Sequence, residues 1–174
     1  LAAYIFCDGN PTVFGDGVGG RLHRDGGVTE YIGIYTGSRL TATTDRDPGK
    51  APTEITVKSG SWEFLRAGNE RASGGTNTLR TVSGDSRIEI SGGSFYGDVC
   101  GTGKNSQDGN ITLNISGGCF FGSIYGMATP ANVDKDVSTV NGNITINITG
   151  GEFHGDIALV QTKEKNAFNG SYTL

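Results

Sequence analysis

The stretch ITINITGGEFHGDI (144–157) contains two short alternating runs on either side of Gly150–Gly151. Nearly the same text occurs as ITLNISGGCFFGSI (111–124) and SRIEISGGSFYGDV (86–99), and a more divergent copy is ITVKSGSWEFLRAG (55–68). Residues 55, 88, 113 and 146 are equivalent, so the copies lie 33, 25 and 33 residues apart. A repeat of this length with a glycine corner is typical of a solenoid whose units stack on one another.

Alternation with a period of two predicts β-strands, because successive side chains of a strand point to opposite faces. If the repeats stack in parallel about 4.8 Å apart, equivalent residues form ladders. The glycine corner lets the chain bend between two strands at low steric cost. The predicted inward columns are Ile55, Ile88, Leu113 and Ile146; Val57, Ile90, Ile115 and Ile148; Trp62, Phe95, Phe120 and Phe153; and Val99, Ile124 and Ile157.

Composition supports short strands joined by tight turns. The chain has 174 residues, of which 30 are Gly, and its hydrophobic content is 34%. The net charge is −4 without a basic patch, so nucleic acid is not an expected partner. Apolar runs are only a few residues long, so we expect no membrane insertion. Gly-rich alternating strands also build sandwiches and up-and-down barrels, which remain the alternative architecture.

From these repeats, residues 55–174 resemble the right-handed parallel β-helix of the pectin-lyase-like superfamily. The opening YIFCDGNPTVFGDG (4–17) is more weakly similar to the first strand and turn of such solenoids. We therefore expect an all-β solenoid with coils of about 25–33 residues over 55–174. Residues 1–54 would form an N-terminal strand, cap or eroded coil. The long segments 70–86 and 128–143, and the shorter 101–110, are expected to be loops on one side.

The last residues, NGSYTL (169–174), match the start of the preceding copy, NGNITI (141–146). They predict that a further coil begins there, with Tyr172 in the column of Ile144. We expect either that the chain belongs to a longer protein or that another chain covers this end, which would allow end-to-end self-association.

One predicted outward column carries rings, and the next carries acidic or hydroxyl side chains. Rings beside carboxylates are typical of carbohydrate sites, because ring faces cover apolar C–H groups and carboxylates accept hydroxyl protons. A loop folded over the rings would bury them instead. The candidate carbohydrate-binding residues are Tyr96, Phe121, Tyr125, His154, Asp98 and Asp156. The outward Thr and Asn residues of the first strand are expected to bond along their ladder as solvent cover, or to organise water as an ice-binding face.

Catalytic chemistry has weak sequence support. Enzymes of the superfamily that the chain resembles cleave acidic polysaccharides with Ca²⁺-binding carboxylates or clustered Asp. Asp98 and Asp156 share a column but lie two coils apart, about 9.6 Å, just beyond the separation of an inverting carboxyl pair. We assign no catalytic residue, and the balance is against an enzyme.

No cofactor is expected, although Ca²⁺ has weak candidate ligands. Alternating carboxylates in DRD and DKD could bind a hard cation, but solvated turn residues are the preferred explanation. His23 and His154 are too isolated in sequence to suggest a zinc site. Cys100 and Cys119 differ by six strand positions and are not expected to pair. Cys7 could meet either of them, and no spacing supports a choice. The Ca²⁺ candidates are Asp45, Asp47, Asp134 and Asp136.

These observations favour a non-catalytic β-helical module of a secreted or cell-surface protein. It would be structural or adhesive and would bind polysaccharide or cell-surface glycan. One alternative is a polysaccharide lyase or glycoside hydrolase of the pectin-lyase-like type. Another is a self-stacking fibre or stalk.

Overall fold

The structure is a computed structural model that describes residues 3–7, 20–25, 29–36, 53–67, 81–103, 106–129, 137–161 and 166–174. Side chains are described from Ile55 onward, apart from residues 63 and 81–83. The described elements are all β-strands. Nothing in this part of the chain forms a helix of the length and hydrophobicity that crossing a bilayer requires.

Nineteen strands are defined within the described residues. They are β1 (Ala3–Cys7), β2 (Gly20–Asp25), β3 (Thr29–Thr36), β4 (Thr53–Val57), β5 (Ser61–Ala67), β6 (Thr81–Ser83), β7 (Ser86–Ile90), β8 (Ser94–Phe95), β9 (Val99–Cys100), β10 (Ser106–Asp108), β11 (Ile111–Ile115), β12 (Cys119–Phe120), β13 (Ile124–Met127), β14 (Ser138–Asn141), β15 (Ile144–Ile148), β16 (Glu152–Phe153), β17 (Ile157–Val160), β18 (Asn166–Asn169) and β19 (Tyr172–Thr173).

These strands form three sheets. The first has the order β1-β4-β7-β11-β15-β19, and the third has the order β18-β14-β10-β6. The second contains β16-β12-β8-β5-β9-β13-β17, with β3 beside β5 and β2 beside β3. Among the described strands, all pairs are parallel except β2–β3. From β6 onward the chain visits the third, first and second sheets in turn, an arrangement compatible with a parallel β-helix.

The register confirms the predicted ladders. In the first sheet Ile88 pairs with Leu113, which pairs with Ile146. In the second sheet, Phe120 pairs with both Phe95 and Phe153. The Phe120 ring lies 4.7 Å from that of Phe95 and 5.0 Å from that of Phe153, with interplanar angles of 5° and 6°. Like side chains therefore stack across successive coils.

The dry core lies between the three sheets. Ile88, Leu113 and Phe120 are each 0% exposed, and Trp62 is 1% exposed. The third sheet contributes Val140 to this core. It also contributes a buried amide, since Gln107 Nε2 donates to Ser86 Oγ at 2.7 Å and to a backbone carbonyl at 2.8 Å. These bonds replace the contacts of the Nε2 group with water and so lower the cost of burying the amide. The buried Oε1 has no hydrogen-bond partner among the described residues.

The glycine corner has two physical causes, which Gly117 and Gly118 illustrate. A Cβ on Gly117 would lie only 2.5 Å from the carbonyl oxygen of Ser91 in the preceding coil. Gly118 has a φ of +113°, a conformation that side-chain-bearing residues rarely adopt. The first glycine thus permits close approach between coils, and the second permits the bend.

One expectation about loops is partly wrong. The segments 70–86, 101–110 and 128–143 each contain a strand of the third sheet, namely β6, β10 and β14. Their strands are three or four residues long and pair with one another across coils. The coil therefore has three strand-bearing sides, and only part of each segment is available for a loop.

The N-terminal region contributes strands to the same sheets. β1 pairs in parallel with β4, so that Ile5 lies beside Ile55. β3, within the segment expected to be a cap or eroded coil, pairs in parallel with β5. The division of the chain at residue 55 stays a prediction.

Candidate functional site

Three exposed rings line the outer side of the second sheet. We call Tyr96, Phe121 and His154 the ring ladder. Each follows by one residue a Phe that faces the core, so each side chain points away from the core. Tyr96 is 44% exposed, Phe121 is 47% exposed, and the His154 side chain is 47% exposed. The expectation that these side chains face outward is confirmed.

An interruption of the strand positions the ring ladder. β5 runs unbroken through Trp62 and Leu65, which pair with Phe95 and Val99 of the next coil. That coil needs one more residue than β5 between the two paired positions, and the strand is broken there into β8 and β9. Tyr96 lies in this break, and Phe121 and His154 occupy the equivalent breaks of the later coils.

The rings of the ladder stack on each other. The centroid of the Phe121 ring lies 5.1 Å from the ring centroids of both Tyr96 and His154, with interplanar angles of 12° and 9°. These centroid distances are close to the strand spacing of about 4.8 Å, so much of each inner ring face contacts a neighbouring ring. A ligand outside the sheet therefore meets mainly ring edges, the Tyr96 hydroxyl and the His154 imidazole, rather than free ring faces.

The column of Asp98, Ser123 and Asp156 is tied together by hydrogen bonds. Asp98 Oδ1 accepts from the Ser123 backbone N–H at 3.1 Å, and Ser123 Oγ accepts from the Asp156 N–H at 3.1 Å. Asp98 Oδ2 also accepts from Gln161 Nε2 at 2.8 Å. The half-buried Asp98 carboxylate thus bonds to the next coil and to Gln161 farther along. Asp156 is the exposed member of the column.

Tyr125 lies beside this column on β13. It is half-buried and pairs with Cys100 and Ala158 in the neighbouring coils. It therefore borders the ring ladder without being one of its stacked rings.

The two described cysteines are free thiols, as expected from their register. Cys100 pairs with Arg66 and Tyr125, whereas Cys119 pairs with Ser94 and Glu152. Burial raises the pKa of the Cys100 thiol to about 11, although the Arg66 charge opposes this shift. Burial, and then the Glu152 carboxylate, also raise the pKa of the Cys119 thiol. The Cys7 side chain lies outside the described residues.

His154 is not isolated in the folded chain. Cys119, Glu152 and His154 each offer a ligand atom, and these atoms lie within 4.8 Å of one another. His154 Nε2 is 2.9 Å from Glu152 Oε1. The signal was present in the repeat, because Cys119 and Glu152 both directly follow the Gly-Gly corner. Its significance emerges only when two coils are stacked.

Side chains on the outer face of the first sheet form hydrogen bonds with one another across neighbouring strands. Asn147 Nδ2 donates to Asn114 Oδ1 at 2.7 Å, and Asn114 Nδ2 donates to Glu89 Oε1 at 2.7 Å. The expected ladder of hydrogen bonds is confirmed. Because these amides are already bonded to each other, the face is best described as structural cover.

The side chains of the weak Ca²⁺ candidates and of His23 lie outside the described residues. The candidates are Asp45, Asp47, Asp134 and Asp136.

No protein-family model, curated protein or solved structure matches this chain significantly. Function is therefore inferred from the chain's own residues.

Proposed function

We propose that this chain is a non-catalytic right-handed parallel β-helical module, of the pectin-lyase-like kind, from a secreted or cell-surface protein. Its ring ladder binds polysaccharide. The parallel strands and the successive visits to three sheets support the β-helix, and a parallel crossover is right-handed in about 98% of known cases.

The observation that carries the binding function is the exposed ring ladder. A contiguous exposed apolar strip commonly marks a binding surface. The rings are held against one another in the equivalent strand breaks of three successive coils, so binding requires little ordering of side chains. The exposed Asp156 and Glu152 carboxylates near the strip can accept hydrogen bonds from sugar hydroxyls. The edge-on stacking favours an extended chain lying along the ladder over one sugar seated flat on one ring.

A pull-down on a panel of insoluble neutral and acidic glycans tests this function. We expect the wild-type chain to be retained and the Phe121→Ala and Tyr96→Ala variants to be retained less. Val137→Ala is the matched control, because Val137 is a 48% exposed apolar residue outside the ladder. Circular dichroism establishes that each variant is folded. The function is refuted if no glycan retains the chain, or if the ladder variants bind as well as Val137→Ala.

The enzymatic alternative predicts a different result. In a lyase or hydrolase, acidic residues such as Asp98 or Asp156 would act on the bound polymer. The bonds from Ser123 and Gln161 to Asp98 support a structural role for that carboxylate instead. Release of soluble products from uronate polymers, abolished in Asp156→Asn, would favour the enzyme.

A further inference from the structure

The cluster of Cys119, Glu152 and His154 contains three different metal-ligating groups. Cys119 on β12 and Glu152 on β16 are register neighbours in adjacent coils. His154 follows Glu152 by two residues and points to the same outer side of the sheet. The ligand atoms of all three lie within 4.8 Å of one another, and Cys119 is half-buried while the other two are exposed.

The distances between the three ligand atoms suit a tetrahedrally coordinated ion after a small movement of the side chains. Metal bonds of about 2.3 Å to sulfur, 2.0–2.1 Å to imidazole nitrogen and 2.0–2.2 Å to carboxylate oxygen place tetrahedral ligand atoms about 3.4–3.6 Å apart. The His154–Glu152 contact of 2.9 Å would open slightly, and the longest separation of up to 4.8 Å would close by about 1 Å. Rotation of the exposed Glu152 side chain, with a small shift of the His154 ring within its stack, can supply this movement.

The ligand types select among metals. A thiolate with an imidazole suits Zn²⁺ and related transition metals, whereas Ca²⁺ and Mg²⁺ prefer oxygen ligands throughout. Two coils supply the ligands, so a bound ion would link them. The Phe121 ring stacks on the His154 imidazole at 5.1 Å and 9°, which restricts the orientation of that ligand.

We propose that Cys119, Glu152 and His154 form a Zn²⁺ site that joins two neighbouring coils at the end of the ring ladder. Three protein ligands leave a fourth position for water or another donor, as in open zinc sites. The proposal does not depend on glycan binding, because it rests on these three side chains alone.

The repeat itself supplies variants that should fold. The position of Cys119 is occupied by Ser94 in the preceding coil, so Cys119→Ser introduces a residue that this column already accepts. The position of His154 is occupied by Phe121, so His154→Phe keeps a ring in the ladder and removes the ligand nitrogen. Ser94→Ala, in the same column one coil earlier, is the matched control.

Titration calorimetry with Zn²⁺ alone, on the reduced full chain, should give one ion per chain. Cys119→Ser and His154→Phe should each weaken that binding by about 100-fold or more, while Ser94→Ala should leave it unchanged. With Co²⁺ alone, a thiolate-to-metal charge-transfer band should appear in the wild type and be absent in Cys119→Ser. Zn²⁺ should also raise the thermal midpoint of the wild type more than that of either ligand variant.

Two results would overturn the site. The first is the absence of Zn²⁺ binding at micromolar concentration by a folded wild-type chain. The second is binding that Cys119→Ser and His154→Phe leave intact, which would locate the ion elsewhere. Glycan retention in Cys119→Ser, which leaves every ring of the ladder in place, is expected to be preserved. The metal site and the proposed function can therefore fail independently.

Discussion

Phe120 and Phe121 provide a matched test of the fold, because adjacent residues of the same type should have very different energetic roles. Phe120 is 0% exposed and stacks between buried Phe95 and half-buried Phe153 at 4.7 and 5.0 Å. Phe121 also stacks between two rings, but it is 47% exposed. The environments differ mainly in burial, so the pair isolates the contribution of the core.

The expected losses in the free energy of unfolding follow from this difference in burial. Truncating a buried Phe to Ala costs about 3–5 kcal/mol, including the cavity that is left. Each variant also loses two stacked contacts, each worth about 0.5–1.5 kcal/mol beyond burial. The loss for Phe120→Ala should therefore be about 5 kcal/mol. Full burial of a Phe is worth about 1.5–3 kcal/mol, so half-burial together with the stacked contacts predicts about 2–3 kcal/mol for Phe121→Ala. A loss of about 5 kcal/mol could unfold a marginally stable domain outright.

Urea unfolding measured by tryptophan fluorescence is the appropriate assay. Trp62 is the only tryptophan, is 1% exposed, and pairs with Phe95 at the end of the buried ring column. It therefore reports directly on the stack that Phe120→Ala disrupts. If the two variants lose equal unfolding free energy, or if Phe121→Ala loses more, the assignment of inward and outward positions is refuted.

The other predictions concern the corner and the thiols. Gly117→Ala should lower the free energy of urea unfolding by about 3 kcal/mol, because its Cβ would lie 2.5 Å from the Ser91 carbonyl oxygen. The exposed neighbour, Ser116→Ala, should change it by less than about 0.5 kcal/mol, and similar losses would contradict the close approach between coils. Because burial raises the pKa of Cys100 to about 11, only about 1 in 1,000 of these thiols is ionised at pH 8. Iodoacetamide at that pH should label half-buried Cys119 before Cys100, with Cys100 labelled after unfolding. Peptide mass mapping that finds equal labelling of the native protein would disprove the burial argument.

The inward columns could be predicted from the repeat because alternation is local. A strand directs every second side chain to one face, so the Ile-x-Ile spacing at 88–90 and 113–115 identifies the buried positions before any pairing is known. The exposed ring ladder follows by the same reasoning, because each of its residues is the outward neighbour of a core-facing Phe. The glycine corner then indicates where one strand must end.

The third sheet was missed for a physical reason. Its strands are short and polar, as in SQD (106–108), and they lack the apolar alternation that identifies a strand in isolation. They form because the coils above and below supply backbone partners, and because Gln107 bonds to Ser86 inside the core. Such stabilisation depends on contacts between residues more than 20 positions apart.

Local alternation was enough to identify the repeated strands of the first and second sheets, the aliphatic and aromatic ladders, and the direction of each repeated side chain. The stacking of coils determined which functional groups meet. It pairs the ring faces of the ladder, engages Asp98 with Gln161, and brings Cys119 to Glu152 and His154. These contacts depend on the register between successive coils, which lie 25 to 33 residues apart, and for Asp98 and Gln161 on residues 63 positions apart. A side chain can interact only with the groups that this register places beside it.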